Sequence, residues 1–88
     1  MSAPAEPLRV LVIDDDKFLA ETIAESLERR GHACAVVNSG KAGVAKAEGE
    51  PFDVILTDLK MADLHGLEVV ERCKAVRPEA EVFVITGF

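Results

Sequence analysis

Acidic residues stand directly after two of the most apolar stretches of this sequence. Asp14, Asp15 and Asp16 follow the run "LRVLVI", and Asp58 follows "DVILT". Burying a carboxylate is costly unless it is paired, hydrogen-bonded or ligated, so acids at these positions need a chemical reason. A further apolar run, "AEVFVIT", ends in Thr86, whose hydroxyl could donate a hydrogen bond to a phosphoryl oxygen.

Carboxylates held a few ångströms apart raise each other's pKa and destabilise the fold unless a cation neutralises them. Mg²⁺ suits such a group because it takes oxygen ligands, usually one or two carboxylates together with waters and phosphate oxygens. A carboxylate beside this cation can attack phosphorus, since the cation offsets the charge of the incoming phosphate. The acids therefore indicate phosphoryl transfer to an aspartate, provided that the fold brings them together.

Four short, nearly continuous apolar runs predict β-strands covered on both faces. They lie at 8–13, 32–37, 53–57 and 80–86. Between them the apolar residues recur every three or four positions, which predicts amphipathic helices. The first helix has the apolar stripe Leu19, Ile23 and Leu27 and stops at Gly31. The second occupies 39–49 and starts at Asn38 or Ser39. The third has the apolar stripe Leu67, Val70 and Cys73 and ends before Pro78.

The resulting order, β-α-β-α-β-α-β, predicts an α/β fold with a doubly wound parallel sheet and helices on both faces. In such sheets ligands bind at the carboxyl ends of the strands, near the topological switch point. If the first, third and fourth strands are neighbours, the acids and Thr86 share that edge. Helix capping explains one acid of the triplet, Asp16, but does not explain Asp14 and Asp15.

Size and composition favour one small domain. The chain has 88 residues, of which 49% are hydrophobic, and a net charge of −6, which argues against direct nucleic-acid contact. No apolar run approaches the roughly 20 residues that span a bilayer, and residues 1–7, "MSAPAEP", read as a disordered tail rather than a signal peptide. Cys34 and Cys73 lie in apolar stretches and read as reduced, buried thiols, so we expect a cytoplasmic protein with no membrane contact.

The three segments "VLVIDDD", "DVILTDLKMADLHGLE" and "VFVITGF" resemble, in order and spacing, the receiver domain of two-component response regulators. The resemblance covers nearly the whole chain after residue 7 and implies a flavodoxin-like receiver fold over 8–88. It implies a phosphoprotein that catalyses only its own Mg²⁺-dependent phosphorylation and dephosphorylation. The implied partners are a sensor histidine kinase or phosphotransfer protein, which donates the phosphoryl group, and an output domain or partner outside this chain.

The same resemblance assigns roles by position. Asp58 is the implied phosphoacceptor, and Asp15 and Asp58 are implied direct Mg²⁺ ligands. The backbone carbonyl of Lys60 would complete the protein ligands, while Asp14 would act through a metal-bound water. Thr86 is the implied switch hydroxyl that moves toward the phosphoryl group.

Departures from the family pattern occur within the loop after Asp58 and at the end of the sequence. Ala62 stands where proline is usual, and His65 where aspartate or asparagine is frequent. Receivers continue through another helix, a fifth strand that carries a lysine and an aromatic residue, and a final helix. We therefore expect an incomplete receiver domain with an exposed edge strand, which self-associates, swaps elements between copies or belongs to a longer protein.

Two other functions compete with the receiver interpretation. A haloacid-dehalogenase-like phosphatase would use Asp14 and Asp16 of "VLVIDDDKF", although Phe18 stands where its motif has threonine or valine. A pseudo-receiver would use the same fold as a docking module without phosphorylation. Asparagine substitutions distinguish the phosphatase from the receiver, because in a receiver only Asp58→Asn, and not Asp14→Asn, abolishes covalent phosphate. Incubation with Mg²⁺ and acetyl phosphate tests the pseudo-receiver, which would gain no phosphoryl group.

Overall fold

The computed structural model describes residues 6–85 and contains the seven predicted elements in the predicted order. Thr86 and most of the predicted tail lie outside the described residues. The elements are β1 (Arg9–Ile13), α1 (Lys17–Glu28), β2 (Ala33–Val37), α2 (Gly40–Gly49), β3 (Val54–Asp58), α3 (Gly66–Val76) and β4 (Glu81–Ile85).

The four strands form one parallel sheet in the order β2-β1-β3-β4. The chain leaves β1 toward β2 on one side and returns to β3 on the other, so the switch point lies between β1 and β3. Ile13 is paired with both Val37 and Thr57, which aligns the carboxyl ends of the three strands. The predicted neighbours β1, β3 and β4 are confirmed, and the residues that follow Ile13 and Thr57 meet at one edge.

The face of the sheet under α2 and α3 carries the larger buried cluster. Leu11, Ile13 and Ile55 project to this face and pack with Val69 and Cys73 of α3. Alternate residues of a strand point to opposite faces, so Val10 and Val12 belong to the smaller cluster under α1. The helices therefore lie on both faces, as the doubly wound fold requires.

The inner face of α3 differs from the predicted stripe. Leu67 is 58% exposed and Val70 is half-buried, whereas Val69 and Cys73 are fully buried. Both sets fit a spacing of three or four residues, and only packing decides which faces the sheet. The prediction was wrong for Leu67 and right for Cys73.

The buried residues of α1 are smaller than those of its predicted apolar stripe. Ala20 and Ala24 are its buried positions, while Ile23 and Leu27 pack against the cluster from its sides. The helix ends at Glu28, and Gly31, with φ of 97°, turns the chain into β2. A side chain would be strained at this φ, which explains the glycine.

Helix α2 begins after Ser39, which settles the choice between Asn38 and Ser39. The Ser39 hydroxyl accepts a hydrogen bond from the Ala42 N–H at 3.1 Å, as an N-cap residue does. Close approach to β1 is possible because Gly43 faces Ile13, whose side chain fills the position of a Cβ. The start of α2 is thus fixed beside the carboxyl edge of the sheet.

Both cysteines are free thiols. Cys73 is buried and Cys34 is half-buried, and burial raises the pKa of each thiol, with the charge of Glu28 adding to the effect at Cys34. Within residues 6–85, no helix has the length and apolarity needed to cross a membrane.

Candidate functional site

Three carboxylates meet at the carboxyl edge of the sheet. Asp14 and Asp15 follow β1 and Asp58 ends β3, and each offers an oxygen within 4.8 Å of the others. The parallel register of β1 and β3 produces this arrangement, because it aligns the last residues of the two strands. The structure therefore brings together the three acids that the sequence singled out.

Asp14 is the buried member of this acid cluster, with 3% of its surface exposed. Burial raises the pKa of its carboxyl, and the charges of Asp58, Asp15 and Asp16 raise it further. A hydrogen bond of 2.9 Å from the Asp16 N–H opposes the rise by stabilising the ionised form. The cluster is thus an environment of concentrated negative charge that a cation would relieve.

Asp15 and Asp16 have different surroundings although they are adjacent. The exposed Asp15 accepts a 3.3 Å hydrogen bond from the Ala62 N–H, which connects the two loops of the site. Asp16 is the N-cap of α1 and accepts from the Leu19 N–H at 3.0 Å. The expected capping role of Asp16 is confirmed, and Asp14 and Asp15 are left for the site.

Asp58 is half-buried at the end of β3, where its carboxylate accepts a hydrogen bond from the Leu59 N–H at 2.8 Å. The preceding Thr57 is fully buried and its hydroxyl donates to the Asp58 carbonyl at 3.1 Å. Gly66 packs directly against this turn, because the Asp58 carbonyl oxygen and the Leu59 backbone occupy the place of a Cβ. The sheet and α3 together hold the Asp58 backbone in position.

The loop between β3 and α3, residues 59–65, closes on itself. Lys60 and His65 form an isolated antiparallel bridge, and the Gly66 N–H donates to the Leu59 carbonyl at 2.7 Å. His65 is exposed and caps α3 through its Nδ1, which accepts from the Leu67 N–H at 3.2 Å. Lys60 lies two residues after Asp58 in this closed loop, while Thr86 lies outside the described residues.

Two residues that support the site were not recognised from the sequence in this role. The Asn38 amide donates to the Asp14 carbonyl at 2.9 Å, and Asp63 joins the 59–65 loop to α2. The parallel pairing of Ile13 with Val37 places residues 14 and 38 side by side, so the predicted sheet contained the signal for Asn38. Asp63 has no comparable signal, because no strand pairing aligns its loop with its long-range partners Gly40 and Lys41.

This donor set fits a divalent cation that prefers oxygen ligands. The three neighbouring carboxylates would repel a phosphate unless a cation offset their negative charge. Mg²⁺ is such a cation, because it binds carboxylate oxygens. The arrangement disfavours the phosphatase alternative, in which Asp14 and Asp16 act together. Asp16 is engaged at the start of α1, and Asp58 occupies the cluster in its place.

The model of the response regulator receiver domain family matches residues 10–88. The chain belongs to this family. Among its relatives is the response regulator receiver protein CpdR of Brucella abortus, which is 29% identical over 80 residues and is covered for 67% of its length by 91% of this chain. Eight of the curated relatives are covered for 33% to 67% of their own length, seven of them for less than half.

Solved receiver structures have the same fold as this chain. A response regulator from Burkholderia pseudomallei, crystallised with a phosphorylated aspartic acid, a calcium ion and citrate, is 34% identical, with a TM-score of 0.86 over 91% of this chain and 47% of that one. A receiver domain protein from Methanospirillum hungatei is 30% identical, with a TM-score of 0.89 over 94% of this chain and 66% of that one. The receiver interpretation and the flavodoxin-like fold are therefore confirmed.

Proposed function

We propose that this receiver domain accepts a phosphoryl group on Asp58. Asp15 and Asp58 would hold Mg²⁺ directly, with the Lys60 carbonyl as the third protein ligand and Asp14 acting through a bound water. The observation that carries the proposal is the convergence of the three carboxylates within 4.8 Å at the ends of β1 and β3. A phosphorylated aspartate and a calcium ion in the Burkholderia pseudomallei relative support it.

In the proposed reaction a carboxylate oxygen of Asp58 attacks the phosphorus of a phosphohistidine on a sensor kinase or phosphotransfer protein. The new bond is an acyl phosphate, and the phosphorus–nitrogen bond breaks with its electron pair left on the imidazole. Mg²⁺, when bound, supplies positive charge that offsets the repulsion between the phosphate and the acids. The end of β3 holds the nucleophile, and Asp14, when ionised, adds negative charge that attracts the cation.

The phosphorylated state would then act on an output domain or a partner. We propose Thr86 as the switch hydroxyl, on the resemblance of "VFVITGF" to the family, because this residue follows β4 and β4 is paired with β3. Asp58 is paired with Ile85, the residue before Thr86. The chain itself would catalyse only the gain and loss of its own phosphoryl group, in the cytoplasm.

Incubation with acetyl phosphate and Mg²⁺, followed by intact mass measurement, tests the proposal. We expect the chain to gain one phosphoryl group, the Asp58→Asn variant to gain none, and the Asp14→Asn variant to gain it more slowly. Loss of the gain in Asp14→Asn but not in Asp58→Asn would support the phosphatase alternative. No gain in a chain whose circular dichroism spectrum shows an intact fold would favour a docking module.

We also infer that this chain self-associates, exchanges elements between copies or belongs to a longer protein, with β4 as the strand that is covered in each case. This strand lies at one end of the sheet formed by residues 6–85, and its Phe83 is 53% exposed beside the half-buried Leu56. An unpaired apolar edge strand is a template for pairing with another chain. Sedimentation velocity should show a mass above that of the monomer that falls on dilution, and a concentration-independent monomer would contradict this inference.

A further inference from the structure

Asp63 connects the loop of residues 59–65 to the start of α2, which lies more than twenty residues earlier in the chain. Its Oδ1 accepts from the Gly40 N–H at 2.9 Å and its Oδ2 from the Lys41 N–H at 2.8 Å. A third bond, of 2.8 Å from the Leu64 N–H to Oδ1, fixes the carboxylate within its own loop. Hydrogen bonds to a charged acceptor are stronger than neutral ones, so this carboxylate is a firm link between the loop and α2.

The start of α2 and the loop are in direct contact around this link. A Cβ at Gly40 would lie 2.8 Å from the Cβ of Leu64 and 3.0 Å from a methyl group of Val69. A glycine is therefore needed for the approach, and the loop cannot move toward α2 without displacing a backbone or a buried side chain. The hydrogen bonds therefore oppose movement of the loop away from α2, and this packing opposes movement toward it.

The residue next to Asp63 contacts the site on the other side. The Ala62 N–H donates to the Asp15 carboxylate at 3.3 Å, while Asp63 holds α2. Adjacent Cα atoms lie about 3.8 Å apart, so the position of Asp63 fixes that of the Ala62 N–H within one peptide unit. Proline at position 62 could not make this bond, because proline has no backbone N–H.

From these contacts we propose that Asp63 is a positioning residue of the phosphorylation site, which acts by holding the 59–65 loop against Asp15. The inference rests on the proposed function, because the loop carries Lys60, whose carbonyl is a proposed Mg²⁺ ligand. Asp63 itself touches neither the phosphoryl group nor the metal. Its removal releases the loop, so the proposed ligands lose their preorganisation and Mg²⁺ binds more weakly.

Ser39 offers a matched control for this role. It caps the same helix through the Ala42 N–H, but it donates or accepts no side-chain bond to the loop among those described. Ser39→Ala and Asp63→Ala each remove a cap from α2, so both should lower the urea midpoint of unfolding. Only Asp63→Ala also breaks the link between α2 and the loop.

The experiment measures Mg²⁺ binding by calorimetry and, without metal, amide hydrogen exchange at Ala62. In Asp63→Ala we expect Mg²⁺ affinity to fall by about two- to tenfold, the factor associated with one net hydrogen bond, and Ala62 exchange to accelerate. Asp63→Asn keeps the oxygen that faces Gly40 and Leu64 and should give intermediate values. Ser39→Ala should leave Mg²⁺ affinity and Ala62 exchange unchanged.

Equal Mg²⁺ affinity and equal Ala62 exchange in Asp63→Ala and Ser39→Ala would reduce Asp63 to a helix cap and overturn the proposal. If Asp63→Ala fails to fold, the comparison of Asp63→Asn with Ser39→Ala gives the same decision. A wild-type chain that binds Mg²⁺ but takes no phosphoryl group from acetyl phosphate would contradict the proposed function alone. Exchange at Ala62 needs neither metal nor phosphate, so it tests the positioning role in every case.

Discussion

The two loops that build the acid cluster are held in different ways. In the β1–α1 loop, residues 14–16, the carboxylates of Asp14 and Asp16 are bound to N–H groups only two or three residues away. In the 59–65 loop, the contacts of Ala62 and Asp63 reach 47 and 23 residues along the chain. The carboxylates of Asp14 and Asp16 are thus oriented by local bonds, although the backbone of Asp14 also bonds to Val37 and Asn38. The carboxylate of Asp63 is instead bound mainly by N–H groups of another element, α2.

This difference has consequences for the function of each loop. Carboxylates that are bound by neighbouring N–H groups keep their orientation when distant parts of the molecule change, which suits acids that are proposed to bind a metal. A loop held by distant contacts responds when α2 or β1 moves, which suits the segment that follows a phosphoacceptor. Substitutions in the first loop should therefore have separable effects, and substitutions in the second should alter stability and metal binding together.

The largest effect is expected at Asp15, the exposed acid of the first loop. Asp15→Asn removes a proposed direct ligand and should weaken Mg²⁺ binding by more than about tenfold, since even outer partners of a metal site are worth that factor. At a Mg²⁺ concentration of 100 times the wild-type Kd, the wild type should gain about 2.7 kcal/mol in unfolding free energy. Urea unfolding with and without Mg²⁺ measures the gain in unfolding free energy, from which the Mg²⁺ affinity follows. An equal gain in Asp15→Asn and wild type would contradict the role of Asp15 as a direct Mg²⁺ ligand.

Gly66→Ala should strain the second loop. The added methyl group meets the Asp58 carbonyl oxygen and the Leu59 backbone, and overpacking of this kind costs about 1–3 kcal/mol. Because the strain falls beside Asp58, phosphorylation by acetyl phosphate should slow as well. Gly49→Ala is the matched control, since nothing lies within 4 Å of its new Cβ, and it should leave both measurements nearly unchanged.

Asp16→Ala tests whether the first loop is separable into independent parts. The variant loses the N-cap of α1 and should be destabilised by about 1 kcal/mol in urea unfolding. The bond from residue 16 to the Asp14 carboxylate is made by the backbone N–H and is retained. Mg²⁺ affinity should therefore stay within twofold of wild type, and a larger loss would show that the acids of this loop act as a unit.

The smallest effect concerns the pH dependence of the link at Asp63. The N–H groups of Lys41 and Gly40 hold the pKa of this carboxyl below its ordinary value of 3.8. A lowered folded-state pKa gives stability that is complete above the unfolded pKa and is lost as pH falls through the folded one. The difference in unfolding free energy between wild type and Asp63→Asn should be constant from neutral pH to about pH 5 and shrink below pH 4. A difference that grows on acidification would contradict the cause given for the shift.

Much of the fold follows from local patterns in the sequence. The apolar runs place β1 to β4 within one or two residues of their observed bounds over the described part of the chain, and the parallel order brings Asp14, Asp15 and Asp58 together. The capping role of Asp16 was also predicted, because an acid directly before an amphipathic segment has a local partner.

What the sequence could not supply depends on contacts between elements. Periodicity alone does not distinguish Leu67 from Val69 as the inward residue of α3, because both positions satisfy a helical spacing. The role of Asp63 requires the distance between its loop and the start of α2, which arises only after both helices pack on the sheet. The residues of the 59–65 loop are thus the part of the site least accessible to pattern analysis.

Localisation of the phosphoryl group tests the central claim most directly. The chain is incubated with acetyl phosphate and Mg²⁺, the acyl phosphate is reduced with borohydride, and the digested peptides are sequenced by mass spectrometry. We expect reduction at Asp58 and nowhere else in the acid cluster. Reduction at Asp14 or Asp15, with Asp58 unmodified, would contradict it.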